Sequence, residues 1–335
     1  MSNIKQQELA HTLCRLGLVA EGERIRLTAL AGGISSEIFK VETPERVFVV
    51  KQALPRLRVA ANWEAPVERN TYEVRWLETV AQILADAAPR VLAKDSEKAL
   101  FAMEYCDPAL FRNWKLELIA GRIDNTVAAE VGRRLAGIHS ATADNPAIAA
   151  GFSTDAIFHA IRLEPYLEAT AARHPAVSNE LFAISRRTLH TKRALVHGDI
   201  SPKNILVGPH GPLFLDAECA WFGDPAFDIA FCLNHLLLKC LVHRPLAAQF
   251  LAAFDALAEN YFARVDWESR REIELRAGQL LPALFLARVD GKSPVEYLTR
   301  HSDRELVRQT ALPLLASAPA SPAIVKGAWA AQLEG

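Results

Sequence analysis

The stretch from Leu195 to Ala230 constrains the chain more than any other, and it reads LVHGDISPKNILVGPHGPLFLDAECAWFGDPAFDIA. An apolar triplet, Ala194 to Val196, runs into His197-Gly198-Asp199, and Asn204 follows five residues after the aspartate. Ile205 to Val207 is apolar again, Gly208 to Pro212 is a Gly/Pro turn, and Leu213 to Leu215 ends on Asp216 and Glu218. Two short apolar runs about such a turn predict a strand hairpin, here with acids at its ends. A hairpin brings distant residues side by side, so Asp199, Asn204 and Asp216 are expected at one place.

Those three groups suit one chemistry. Phosphoryl transfer needs an unprotonated carboxylate beside the attacking hydroxyl, and oxygen ligands that hold Mg²⁺ between the β- and γ-phosphates. A single Asp at a strand end is usually a turn residue or a cap. The weight lies in the combination: H-G-D, an asparagine at the fifth position, a turn, and a strand ending in D-x-E. With these residues the sequence resembles the aminoglycoside phosphotransferase and choline kinase superfamily, whose motif is H-G-D-x-x-x-x-N. Gly223-Asp224-Pro225-Ala226-Phe227-Asp228 is similar to the G-D-P-x-x-D that follows in that family. Both are related to the H-R-D and D-F-G set of protein kinases.

The resemblance implies an α+β, two-lobed protein-kinase-like fold. A small β-rich lobe over residues 1–106 would bind the nucleotide, and a larger, mainly helical lobe over 107–335 would carry catalysis and substrate. It implies Asp199 as the catalytic residue, Asn204 and Asp216 as ligands of Mg²⁺ with Glu218 assisting, and His197 and Asp228 as braces of the loop. For Lys203 two readings stay open, a charge on the γ-phosphate or a solvated lysine.

The first lobe can be followed in the same terms. Arg24 to Leu30 and Glu37 to Val41 read as strands about Ala31-Gly32-Gly33-Ile34-Ser35-Ser36, where glycines let backbone N–H groups approach phosphates. Gly32, Gly33, Ser35 and Ser36 are therefore expected at ATP. Phe48-Val49-Val50-Lys51 is a strand whose lysine stands where the kinase family grips the α- and β-phosphates. A helical stretch over 65–85 follows, with Val67, Val74, Leu77, Val80, Ile83 and Leu84 on one face. The family takes a glutamate from this helix to hold the lysine; Glu73 is favoured, with Glu68 as the alternative. Ala99 to Cys106 reads as a buried strand entering the interlobe hinge. By that likeness the Glu104 carbonyl and the Cys106 N–H would meet adenine, with Met103 lining the pocket.

Beyond residue 107 the pattern is helical: 126–140, 155–172, 178–193, 228–242, 246–263, 267–288 and 302–315. Residues 316–323, rich in Ala, Ser and Pro, read as a loop before a short tail. His139 beside the apolar stripe of Val127, Val131, Leu135 and Ile138 reads as a structural hydrogen-bonding residue. For residues 288–294 a substrate-facing turn and an ordinary helix end both stand.

Composition narrows the partners. The 335 residues carry a formal net charge of -1, so no basic surplus exists to neutralise a nucleic-acid backbone. The segment from Ile229 to Val242 is broken by Asn234, His235 and Lys239 and is too short to span a bilayer. Five scattered cysteines and an amphipathic N-terminus without a signal-peptide core suggest a cytoplasmic chain. Nothing in the sequence fixes an oligomeric state. The short interval from Asp216 to Asp228 leaves no room for the activation segment of a protein kinase, which favours a small-molecule substrate. From residue 110 acids and bases balance, where a polycationic aminoglycoside would want an acidic groove. Trp114, Trp221 and Trp267 show no spacing of an aromatic cage for choline. The stretch 152–166 bears a loose likeness to methylthioribose kinases, which differ at the asparagine of the motif. The expected function is ATP-dependent phosphorylation of a hydroxyl on a sugar or related polyol. The alternatives are an aminoglycoside or amino-alcohol kinase and a non-catalytic nucleotide-binding scaffold.

Overall fold

Alternation of side chains along the N-terminal strands decides which residues meet which helix. A computed structural model describes residues 3–30, 36–54 and 66–334. Packing of the backbone separates the chain into two units, Met1–Ala109 and Leu110–Gly335. The first holds α1 (Asn3–Arg15), β1 (Arg26–Ala29), β2 (Ser36–Glu42), β3 (Val47–Ala53), α2 (Arg69–Ile83), β4 (Val91–Asp95) and β5 (Leu100–Glu104). Its strands form an antiparallel sheet in the order β1-β2-β3-β5-β4.

Successive strand residues point to opposite faces. Phe48 and Val50 of β3 join Leu9 and Leu13 of α1, Phe39 and Val41 of β2, and Leu100 and Ala102 of β5 in one apolar cluster. Val49 and Lys51 therefore face the other way. On that side α2 buries Arg69, Asn70, Glu73, Val74, Trp76, Leu77 and Val80, a stripe at helical spacing. The expected loop residues Gly32, Gly33 and Ser35 lie outside the described residues. Ser36 opens β2, buried and paired in register with Ala53.

The second unit begins with β6 (Arg112–Asn113), α3 (Trp114–Ile119), α4 (Asn125–Thr142) and α5 (Pro146–Gly151). Residues 155–172, expected as one helix, divide into α6 (Asp155–Phe158), a ten-residue π-helical stretch His159–Glu168, and α7 (Ala169–Arg173). Pro165 lies inside the π-helical stretch and has no N–H to continue an α-helical ladder. Then come α8 (Ser178–His190), β7 (Ala194–Val196), β8 (Ile205–Gly208), β9 (Gly211–Phe214) and β10 (Trp221–Gly223). The expected hairpin is β8 with β9, and β6 adds a third strand, while β7 pairs with β10.

The unit closes with α9 (Ala226–Lys239), α10 (Ala247–Phe262), α11 (Arg270–Asp290), α12 (His301–Ser317) and α13 (Pro322–Glu334). Every residue of α9 is buried, as its near-continuous apolar sequence requires. Helix α4 lies close against α10: a Cβ on Gly132 would stand 2.3 Å from the Leu257 carbonyl oxygen, so only glycine fits there. The expected tail is a correction. Residues 322–334 form a helix that buries Val325 and Trp329, and the Trp329 indole donates to the Leu237 carbonyl at 3.0 Å. Proline at its first position suits a helix start, and apolar side chains four residues apart give it a face to bury.

Candidate active site

The loop after β7 is held by Asp228 from the first turn of α9. The Asp228 carboxylate accepts from the backbone N–H of His197 at 2.7 Å and of Gly198 at 2.8 Å. It also meets His139 Nε2 at 3.4 Å, and His139 Nδ1 pairs with the Tyr261 hydroxyl at 2.8 Å. All of these groups are buried, and each polar atom named has a partner, as burial demands. The His197 ring fixes its own tautomer. Its Nδ1 accepts from the Asp199 N–H at 3.1 Å, so Nε2 carries the proton and donates to the Leu215 carbonyl at 3.0 Å. Burial holds this imidazole below its ordinary pKa despite Asp228, Asp199 and Asp216 nearby.

Leu215 is the tie between the two arms of the hairpin. Its carbonyl accepts the hydrogen bond from His197 Nε2–H and its N–H donates to the Asn204 carbonyl at 2.9 Å. Asn204 in turn donates its side-chain amide to the Asp199 carbonyl at 3.1 Å. Asp216 follows Leu215 directly with φ of 67°, a left-handed conformation that aspartate tolerates better than most residues. Gly198 has φ of 78°, and a Cβ there would stand 2.7 Å from the Cys219 carbonyl oxygen. The loop at 198 and the segment at 219 thus approach too closely for any side chain between them. Asp199, Asn204 and Asp216 lie on this one framework.

Two cations sit on the Asp199 carboxylate. Arg162 Nη2 is 2.9 Å from Oδ2 and Lys203 Nζ 3.1 Å from the same oxygen. Burial would push the carboxyl up, but Lys203 and Arg162 outweigh it and hold Asp199 below the usual carboxylate range, against Asp216. Arg162 is the residue that sequence reasoning missed. It comes from the π-helical stretch and also donates to the Gly198 and Ile161 carbonyls. A lone arginine in a helical pattern gives no sign of such a target. Lys203 pairs with Asp199, while more than half of its side chain remains exposed.

The remaining residues lie in the first unit. Lys51 Nζ is 2.8 Å from Glu73 Oε1, and both side chains are buried, with 3% and 2% of their surface exposed. Glu73, and not Glu68, is thus the acid on the lysine. Met103 and Glu104 end β5, with Glu104 exposed and bonded to Arg90 at 2.9 Å. Cys106 follows, half-buried, and burial with the nearby Glu104 pushes its thiol up to about 11. Its thiol is therefore neutral and inert at neutral pH.

The donor set discriminates among metals. Among the described residues no group of three or more His, Cys, Asp and Glu side chains could hold an ion. A closed zinc site is not built here. An Asn204 amide whose nitrogen is already engaged, with Asp216 and Glu218 nearby in the chain, offers oxygen to a hard cation. Mg²⁺ suits such a set, since it keeps waters and shares its remaining positions with phosphates.

A β-sheet unit with a buried lysine–glutamate pair, followed by a helical unit with an H-G-D loop and its hairpin, defines a protein-kinase-like fold. The family model described as phosphotransferase enzyme family matches residues 26–273, and the chain belongs to that family. Among curated relatives, a methylthioribose kinase of Escherichia coli O45:K1 is 29% identical over 249 residues. That match covers 64% of this chain but 58% of the relative, so the chain spans less than two thirds of its length. Among solved structures, choline kinase LicA from Streptococcus pneumoniae aligns over 94% of this chain and all of its own, with TM-score 0.50 and 16% identity. Spectinomycin phosphotransferase in complex with ADP and spectinomycin covers 93% of this chain and 98% of its own, at TM-score 0.52 and 13% identity.

Proposed function

We propose that the chain transfers the γ-phosphoryl group of ATP to a hydroxyl of a small, sugar-like molecule. The observation that carries this reading is Asp199, a buried carboxylate kept ionised by Arg162 and Lys203 on a loop that Asp228 pins through two backbone bonds. An acidic group of this kind orients an attacking hydroxyl and takes its proton late, which suits the loose transition state of phosphoryl transfer. Asn204 and Asp216, with Glu218, would hold Mg²⁺, which when bound neutralises charge on the β- and γ-phosphates. Lys51, fixed by Glu73, would contact the non-transferred phosphates. The Gly32, Gly33, Ser35 and Ser36 segment would cover them, and Glu104 and Cys106 would meet adenine beside Met103. The methylthioribose kinase likeness supports a sugar-like acceptor, and the ADP complex of spectinomycin phosphotransferase supports an adenine nucleotide.

No helix among the described residues is long and apolar enough to cross a membrane. The five free cysteines fit a reducing compartment, so we place the activity in the cytoplasm. A coupled ADP-release screen across sugars, polyols, amino alcohols and aminoglycosides tests the reading. The expected result is acceptor-dependent ADP release with a sugar-like compound. ATP hydrolysis that no acceptor stimulates would count against it.

A further inference from the structure

Helix α9 carries a row of side chains that the chemistry at Asp199 leaves unused. Phe231, His235 and Lys239 recur every fourth residue on one face, about 12 Å from first to last at 1.5 Å per residue. This row connects to the catalytic loop through ring contacts. The Arg162 guanidinium that holds Asp199 lies 5.7 Å from the Tyr166 ring and 6.0 Å from the Phe231 ring. Arg288 covers the same tyrosine at 5.5 Å and donates to its hydroxyl at 3.2 Å. The rings of Phe231 and His235 are 5.3 Å apart, His235 Nδ1 is 3.4 Å from the Tyr297 hydroxyl, and Lys239 Nζ is 4.9 Å from the Tyr297 ring.

The cations at the far end of this row are under-compensated. Lys239 is 1% exposed and has no carboxylate on it among the described residues. Arg288, 8% exposed, donates through Nη1 to the Ser293 carbonyl and hydroxyl but leaves its Nε without a partner, and Asn234, fully buried, leaves both ends of its amide without one. Lys115 adds a third cation, and Glu296, which it holds, is the acid of the cluster. Burial pushes Lys239 down to about 7, helped by Lys115 and Arg288 and opposed by Cys232 and Glu296. An ammonium costs several kcal/mol to bury unpaired, and a fully buried helix has no structural need of one. Tyr297 and Lys115 keep part of their surface in water, so the cluster reaches solvent through them.

We propose that the acceptor carries an oxyanion, a carboxylate or a phosphate, which Arg288 and Lys239 receive while its hydroxyl lies at Asp199. This rests on the phosphotransferase reading and narrows its substrate class to hydroxy acids, sugar acids and sugar phosphates. Cationic acceptors are excluded by the same charges.

Matched acceptors test it in the coupled ADP-release assay: glycerol, glycerate and glycerol phosphate; glucose, gluconate and glucose 6-phosphate; glucosamine and choline. The acidic members are expected to exceed their neutral partners in kcat/KM by about tenfold or more. The carboxylate and phosphate arms tell which oxyanion is preferred. Lys239→Met should abolish that preference through KM while the affinity for ADP holds, and should raise Tm, which a merely structural lysine would not do. Lys239→Arg should restore part of the preference. Preference for neutral or cationic acceptors, or a Lys239→Met variant with the wild-type ratio, overturns the proposal. If no acceptor releases ADP, the phosphotransferase reading fails and binding decides the anion site. With Mg²⁺ and ADP saturating, sulfate should then raise the Tm of the wild type and draw proton uptake at pH 7, both lost in Lys239→Met. No response to sulfate would overturn the site.

Discussion

Asp199 shows how a buried acid is kept ready for proton transfer. Its carboxylate is almost wholly out of water, yet the two cations on one oxygen keep it ionised. Asp199→Asn is expected to lower kcat by about 10³-fold or more, at or beyond the usual share of a general base, with the Kd for ADP changed less than about twofold by calorimetry. Removing a cation should be felt as a pKa. A carboxyl depressed in the folded state contributes stability above its unfolded value of about 3.9, and this is lost as pH falls through the lower folded value. Arg162→Gln leaves burial less opposed, so the acid limb of the kcat/KM profile should move to higher pH. A limb unmoved by the substitution would show that Arg162 does not set the charge of Asp199. The Lys51–Glu73 pair is buried on both sides. Lys51→Met removes the cation on the buried Glu73 and is expected to cost about 3–5 kcal/mol in denaturant unfolding. Lys51→Met with Glu73→Leu should recover most of that stability without recovering nucleotide binding.

Among the elements, the loop after β7 and the helix α9 act as one piece, because Asp228 bonds two successive N–H groups of the loop. Gly198 lies between them with a positive φ and Cys219 against it. Gly198→Ala should cost about 1–2 kcal/mol for the backbone alone and more for the overlap, with loss of activity at temperatures where the fold persists. The hairpin of β8 and β9 was legible in the sequence because alternation and a Gly/Pro turn are local signals. The π-helical stretch was not. Its Arg162 reads as one more helical residue, since nothing within four residues of it shows that the side chain ends on Asp199. The helix α13 was hidden for a related reason: its short Ala-rich sequence gains its stability from docking Trp329, and docking is not a local property. Trp329→Ala should therefore destabilise the second unit by about 3–5 kcal/mol in thermal or denaturant unfolding.

For the whole molecule, acid should be the destabilising direction. His197 and His235 are both buried, and burial holds both below their ordinary value, well below it for His235 where Arg288, Lys239, Lys203 and Lys115 add to the effect. The unfolded chain then binds protons first, so stability present above about pH 6.5 falls as pH drops below it, by roughly 1.4 kcal/mol per unit for each group. His235→Gln should flatten that slope in urea titrations between pH 5 and 7. The sequence by itself determined the kinase-like organisation and the candidate residues at Lys51, Asp199, Asn204 and Asp216, because strand alternation, turns and the H-G-D spacing are written in neighbouring residues. It favoured Glu73 with Glu68 as the alternative, and gave no role to Arg162. Those were decided only when the chain closed on itself, because a charge in the interior is defined by what surrounds it, and its neighbours in space are far away in sequence.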